Sequence, residues 1–247
     1  FIRDDPAKMG EIPDGDEKST DETVETARHL QRAPLETDDW QKSFSTSPIW
    51  QMTGAYFICG ITTAIISAHF IPFAQDRGVS REVAGLAFGL MTGLNIIGVI
   101  GVGIISDYFG RKHLLGISYA TRGLAYVVLL LAPGTMGIWG FAVLAGFSWV
   151  ATASLTSSLT ADVYGVRNLG ILGGLETMVH MLGGALSIYM GGLMYDIFGS
   201  YDVPFAIAGS LLVFASFFSF SIQEKKYSSR FQTAPVRPAS ASAGDGD

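Results

Sequence analysis

The chain has 247 residues, a formal net charge of −6 and only 15% charged residues, at a mean hydropathy of +0.35. A soluble domain carries about 25% charged residues; here residues 1–47 and 223–247 are polar while the stretch between them is almost free of charge, as expected of a surface that faces hydrocarbon. The acidic balance resides in the first 47 residues and so does not describe a nucleic-acid partner, and the single Cys59 excludes an intrachain disulfide framework and a cysteine-rich metal site.

The chain opens on a polar arm, residues 1–47, in which residues 14–39 are acidic and one short helix is expected near Thr23–Arg32. It starts at Phe1 with neither an initiator Met nor the basic start and apolar core of a signal peptide. The expectation is a piece of a longer protein. Six apolar segments follow: Pro48–Phe73, Glu82–Ile105, Leu114–Ala132, Met136–Leu159, Leu169–Tyr195 and Val203–Ile222. Each is long enough to cross a hydrocarbon core of about 30 Å as a helix of roughly 20 residues. The runs are continuous rather than alternating, so a barrel does not compete. The predicted fold is all-α, a polytopic membrane bundle of six transmembrane helices over residues 48–222. Residues 223–247 read as a disordered cytoplasmic tail, ending in the low-complexity TAPVRPASASAGDGD.

Turns between the segments are short and rich in Gly, Pro and Asp, so consecutive helices run antiparallel. Lys42, Arg111, Lys112, Arg167, Lys225, Lys226 and Arg230 fall on one side, and only Arg77 and Arg81 on the other. The positive side is predicted to be the cytoplasmic face of a cell membrane, with both ends of the segment inside. Trp50, Tyr195 and Tyr201 are expected at the interfaces.

Between the second and third segments stands GIISDYFGRKH, Gly103 to His113. Gly103 and Gly110 suit close helix approach and a tight turn, Asp107 places a carboxylate where a helix N-terminus or a cation can meet it, and Arg111 and Lys112 hold the loop inside. The spacing resembles the signature loop G-x-x-x-D-x-x-G-R-K of the major facilitator superfamily, which follows the second helix of each six-helix half. FIRDDPAKMGEIPDG resembles the start of a loop joining two halves. HFIPFAQDRGVS and HMLGGALSIYMGGLMYDIFGSY resemble bacterial members of the monocarboxylate-porter-like branch, related to oxalate/formate exchangers. The resemblance implies one half of a major facilitator fold, the C-terminal one, partnered by an N-terminal six-helix half, the lipid bilayer and a small-molecule solute. No Lys stands in the fifth segment and no Arg in the body of the second, where some carboxylate transporters of the branch carry a cation.

Ionisable side chains inside a bilayer are costly and are candidates for function. His180 lies eleven residues into the fifth segment, ~16 Å deep at 1.5 Å per residue, and suits proton coupling or anion contact. Glu176 lies four residues earlier on the same helix face, and the pair is expected to carry one proton. Arg122, ~12 Å deep in the third segment, suggests a structural pair with Asp162 or Glu176, or a contact to substrate charge. His69, near the outer end of the first segment, is a candidate for an outer gate. Ser148, Trp149, Thr152, Ser154, Thr156, Ser157 and Ser158 in the fourth segment either line a cavity or pack helices. Trp149, Thr152 and, in the second segment, Asn95 join the candidate pathway. Gly170 and Gly174, and the set Gly183, Ser187 and Gly191, form small-residue stripes suited to close helix packing.

No phosphate-binding lysine loop, metal-spaced His/Cys cluster or G-x-S-x-G elbow occurs. The chain therefore reads as a non-enzyme without cofactor or metal: a secondary transporter of a small organic solute, a carboxylate among the candidates, working by alternating access. A transporter-like membrane sensor that binds without transporting stays open on sequence grounds.

Overall fold

Proline is tolerated in the first turn of a helix, where its missing N–H would be unpaired. Pro48 opens α1 (Ser47–Asp76) in this way in the computed structural model, which describes residues 33–232. Ser80 caps α2 (Arg81–Phe109), its hydroxyl oxygen accepting the Val83 amide at 3.4 Å. A single residue, Gly110, separates α2 from α3 (Arg111–Leu131), and its φ of 84° is open to glycine at little cost. Then come α4 (Gly134–Gly146), α5 (Ala151–Tyr164), α6 (Leu169–Phe198), α7 (Asp202–Ser221) and the short α8 (Glu224–Tyr227). Among the described residues there is no strand. Six segments are long and apolar enough to cross a membrane, the fourth being Gly134–Tyr164, that is, α4 and α5 in succession.

Two expectations need correction. The fourth span is not one continuous helix: it breaks at residues 147–150. The break is held from outside the helix, because Asn95 Oδ1 of α2 accepts the Val150 amide at 2.9 Å. Nor does order end at residue 222. Glu224 is buried, and α8 is followed by a 3₁₀ turn, Ser229–Phe231. The expected helix at Thr23–Arg32 and the expected disorder of residues 233–247 lie outside the described residues.

α1 packs chiefly on α6 and α7, α3 on α7 and α4, and α2 on α4. The α1–α6 contact is backbone-close. A Cβ on Gly60 would stand 1.9 Å from the His180 carbonyl oxygen, and one on Gly183 would stand 2.6 Å from that of Phe57. Gly191 meets the His69 ring, whereas Gly170 and Gly174 face open space. Phe73 stacks on Phe205 at 4.8 Å, and Tyr126 meets Phe141 edge-on at 5.5 Å, in the buried core. Conversely Leu86, Ile96, Ile97, Ile100 and Ile104 of α2, and Met181, Leu182, Leu186 and Tyr189 of α6, are exposed. Faces this apolar call for lipid or another protein surface. Trp50 is exposed, as an interfacial ring would be, but Tyr201 is buried and stacks on Tyr195 at 4.3 Å.

Ahead of α1, a 3₁₀ turn, Trp40–Ser45, and the residues before it lie across the α5–α6 turn. The Leu35 amide donates to the Val163 carbonyl at 3.0 Å, Asn168 Nδ2 donates to the Thr37 carbonyl at 2.6 Å, and Arg167 pairs with Asp38.

Candidate functional site

Glu176 is a buried acid of the bundle, 2% exposed on α6. Its two carboxylate oxygens lie 3.1 and 3.0 Å from the Thr160 hydroxyl of α5. That hydroxyl is also 3.0 Å from the Thr156 carbonyl and 3.8 Å from Met52 Sδ of α1. A hydroxyl has one proton to give. When Thr160 donates to Thr156, its contact with Glu176 is a hydrogen bond only if the carboxyl itself carries the proton. When the carboxylate is ionised, the hydroxyl must turn to it. No cation bonds to Glu176 among the described residues.

Arg122 is wholly buried on α3. Its Nη1 donates to Cys59 Sγ at 3.3 Å and Thr63 Oγ1 at 3.5 Å, both on α1. Its Nη2 donates to the Ser148 carbonyl, to the Trp149 carbonyl at 2.7 Å and to Thr152 Oγ1 at 3.3 Å, at the break in the fourth span. The guanidinium also lies over the Trp149 ring at 5.4 Å. The expected pairing with Asp162 or Glu176 is not found. Asp162 lies ten residues beyond Thr152 on α5, about 15 Å along the axis, and Glu176 belongs to the level of Thr160, about 12 Å along it. Carbonyls, hydroxyls and a thiol solvate the charge instead, leaving Nε without a partner.

His180 Nδ1 lies 3.1 Å from the Tyr56 carbonyl and its ring stacks on the Tyr56 ring at 4.4 Å. No hydrogen bond joins it to Glu176 among the described contacts, so the expected pair is not hydrogen-bonded. His69 Nε2 lies 3.0 Å from the Ile188 carbonyl, ties α1 to α6, and its ring packs at 5.2 Å from Tyr201. Trp149 and Thr152 are buried against Arg122 rather than lining an open cavity. A groove of about 530 Å³ does exist, but between α3 and α7, lined by Tyr119, Gly123, Tyr126, Gly209 and other small or apolar residues. None of the sequence-predicted residues lines it.

The turn between α2 and α3 closes on the C-terminal segment. Glu224 accepts the backbone amides of Arg111 and Lys112 at 2.8 and 3.1 Å. Lys112 Nζ donates to the Ile222 carbonyl at 2.8 Å and the Phe220 carbonyl at 3.3 Å, at the end of α7. Arg111 Nη1 donates to the Ser158 carbonyl at 2.5 Å and lies 2.9 Å from Asp162 Oδ2. Because the nitrogen is aimed at the carbonyl, the acid contact is an ion pair without hydrogen-bond alignment. Arg230 donates to the Ser106 and Asp107 carbonyls at 2.9 and 2.6 Å and lies 4.0 Å from the exposed Asp107 carboxylate.

The family profile of the Major Facilitator Superfamily matches residues 52–243. The chain belongs to the major facilitator superfamily. It is 36% identical over 159 residues to the MFS-type transporter YcxA of Bacillus subtilis, covering 61% of this chain and 38% of that protein. It is 24% identical over 229 residues to monocarboxylate transporter 12 of Rattus norvegicus, covering 85% of this chain and 47% of the relative. The crystal structure of the E. coli fucose:proton symporter FucP superposes with a TM-score of 0.60 at 16% identity, over 74% of this chain and 45% of that one, which shows the shared fold. The chain thus spans about two fifths to one half of the length of these superfamily members.

Within this superfamily member, the signature loop is a junction rather than a lone turn. Gly110, Arg111 and Lys112 engage α5, α7 and α8. Gly103 does not serve close helix approach here, since nothing lies within 4 Å of where its Cβ would be; its face of α2 is open. The sequence also hid the partners of the candidates. Cys59 entered the reading only as a lone cysteine, Thr160 was not singled out at all, and Glu224 fell in the polar tail. Only Glu224 left a trace, as an acid set against Lys225 and Lys226 directly after the last span.

Proposed function

We propose that the chain is the C-terminal six-helix half of a secondary transporter that moves a small organic solute by alternating access, with proton coupling through Glu176. Membership of the superfamily and relatives named as transporters support a carrier, and the relatives named monocarboxylate transporters support a carboxylate solute. The share of its relatives that the chain spans supports a second six-helix bundle as partner. Residues 48–222 form the membrane bundle, residues 1–47 the joining loop, and the Arg111 end faces the cytoplasm by its excess of Lys and Arg.

The observation that carries the coupling is the Glu176–Thr160 contact. A charge buried without a paired cation is costly, and the single Thr160 proton gives the site two hydrogen-bonded arrangements that differ by one proton on Glu176. Opening the site to water from either side permits exchange of that proton, which ties protonation to conformation. His180 is held by Tyr56, so the proton role rests on Glu176 alone.

The test is uptake of a panel of radiolabelled short monocarboxylates by vesicles holding the whole protein, measured against pH and normalised to folded protein. Glu176→Gln is expected to flatten the pH dependence while exchange of solute across the membrane persists. An unchanged pH profile in this variant removes the coupling role. Transport of none of the panel by the native protein removes the carboxylate assignment.

A further inference from the structure

The break in the fourth span has an external cause. In an unbroken α-helix the Ser148 and Trp149 carbonyls would accept the amides of residues 152 and 153. Instead Ser148 N donates to the Ala145 carbonyl at 3.0 Å and Ala153 N to the Val150 carbonyl at 2.9 Å. Both are i→i−3 contacts, the tighter pattern of a 3₁₀ turn. Ala153 N thereby leaves the Trp149 carbonyl, and Arg122 Nη2 takes that carbonyl together with the neighbouring one of Ser148. From α2, Asn95 accepts the Val150 amide.

The same guanidinium reaches α1 through Cys59 and Thr63, and Cys59 Sγ in turn lies 3.3 Å from Thr152 Oγ1. A planar fork with two terminal nitrogens holds groups on two helices in one fixed geometry, whereas an ammonium is a compact point charge without that span. Full burial without a carboxylate is otherwise an expensive place for an arginine.

We infer that Arg122 is the positioning residue of the fourth span: its guanidinium takes the carbonyls of residues 148–149 and fixes the break between α4 and α5 against α1. Trp149 and Thr152 owe their placement to that pin. The arrangement gives an arginine in the third helix a part in shaping the fourth, independent of whether Glu176 carries a proton.

The test uses the whole protein in lipid vesicles, with spin-labelled unnatural amino acids at the exposed positions Met136 and Val166, which flank the break, and Cys59 left in place. A control pair at Ile207 and Phe220 reports on the unbroken α7. In Arg122→Gln the 136–166 distance distribution is expected to shift and broaden while the 207–220 distribution stays native. A native 136–166 distribution overturns the inference, and so does a parallel change in both pairs, which would mean general loss of structure. If Arg122→Gln does not yield folded protein, Arg122→Lys decides. It keeps the charge but not the fork, so a smaller shift confined to 136–166 is expected, and a native distribution there overturns the inference.

Discussion

Glu224 closes the N-terminus of α3 by accepting the Arg111 amide at 2.8 Å, with the Lys112 amide at 3.1 Å on its second oxygen. The first amides of a helix have no intrahelical partner, and Gly110 offers no side chain to serve them. A carboxylate there also meets the positive end of the helix dipole. The cap comes from 113 residues away, so it fastens the last span to the signature loop as well.

Glu224→Ala should therefore cost about 1–2 kcal/mol, the upper range for loss of a helix cap. Glu224→Gln keeps one acceptor and should cost less. Thermal unfolding of the purified protein in detergent reads the order, and equal losses for the two variants would mean that packing rather than capping holds Glu224.

Glycines divide into two groups with opposite expectations. Gly60→Ala puts a methyl group into the His180 carbonyl and should sharply lower the yield of folded protein on size-exclusion chromatography. Gly85, Gly89 and Gly93 line one open face of α2, with nothing within 4 Å. Gly89→Phe should leave the six-helix bundle folded. In the whole protein it should abolish transport if a second bundle packs on that face; full activity would mean that the face meets only lipid.

The proposed orientation rests on the loop charges. Cysteines introduced at Gly78 and Gly134 should react with an impermeant reagent added outside intact cells, and cysteines at Arg111 and Arg230 should not. Labelling of position 111 from outside would reverse the topology.

Asp107 and Asp162 should behave differently. Asp107 is exposed and 4.0 Å from Arg230, so Asp107→Asn should change stability by less than about 0.5 kcal/mol and act, if the loop serves the conformational step, on turnover more than on solute affinity. Asp162 shares a poorly hydrated site with Arg111, and Asp162→Asn leaves that charge without its counter-ion. A loss of about 1–3 kcal/mol is expected, read by the same unfolding measurement; equal small losses for both acids would mean that the Arg111 contact is idle.

Spans, their order and the family were legible in the sequence because length, hydropathy and loop charge are local properties of the chain. A run of about 20 apolar residues has one inexpensive fate in a bilayer, and the Gly103–Lys112 spacing needs no partner to be read. Glu176 and Arg122 were likewise visible as ionisable groups set in apolar helices. What they touch was not. The partner of Arg122 is a pair of backbone carbonyls 26 and 27 residues away and a thiol 63 residues away, and main-chain acceptors carry no sequence signal at all. Helical periodicity put Glu176 and His180 on one face of α6, but the rotation and close approach of α1 and α5 sent one to Thr160 and the other to Tyr56. The break at residues 147–150 was hidden for the same reason: nothing in GFSWVATAS forbids a helix, and only bonds supplied by Asn95 and Arg122 from two other helices make the interruption the cheaper arrangement.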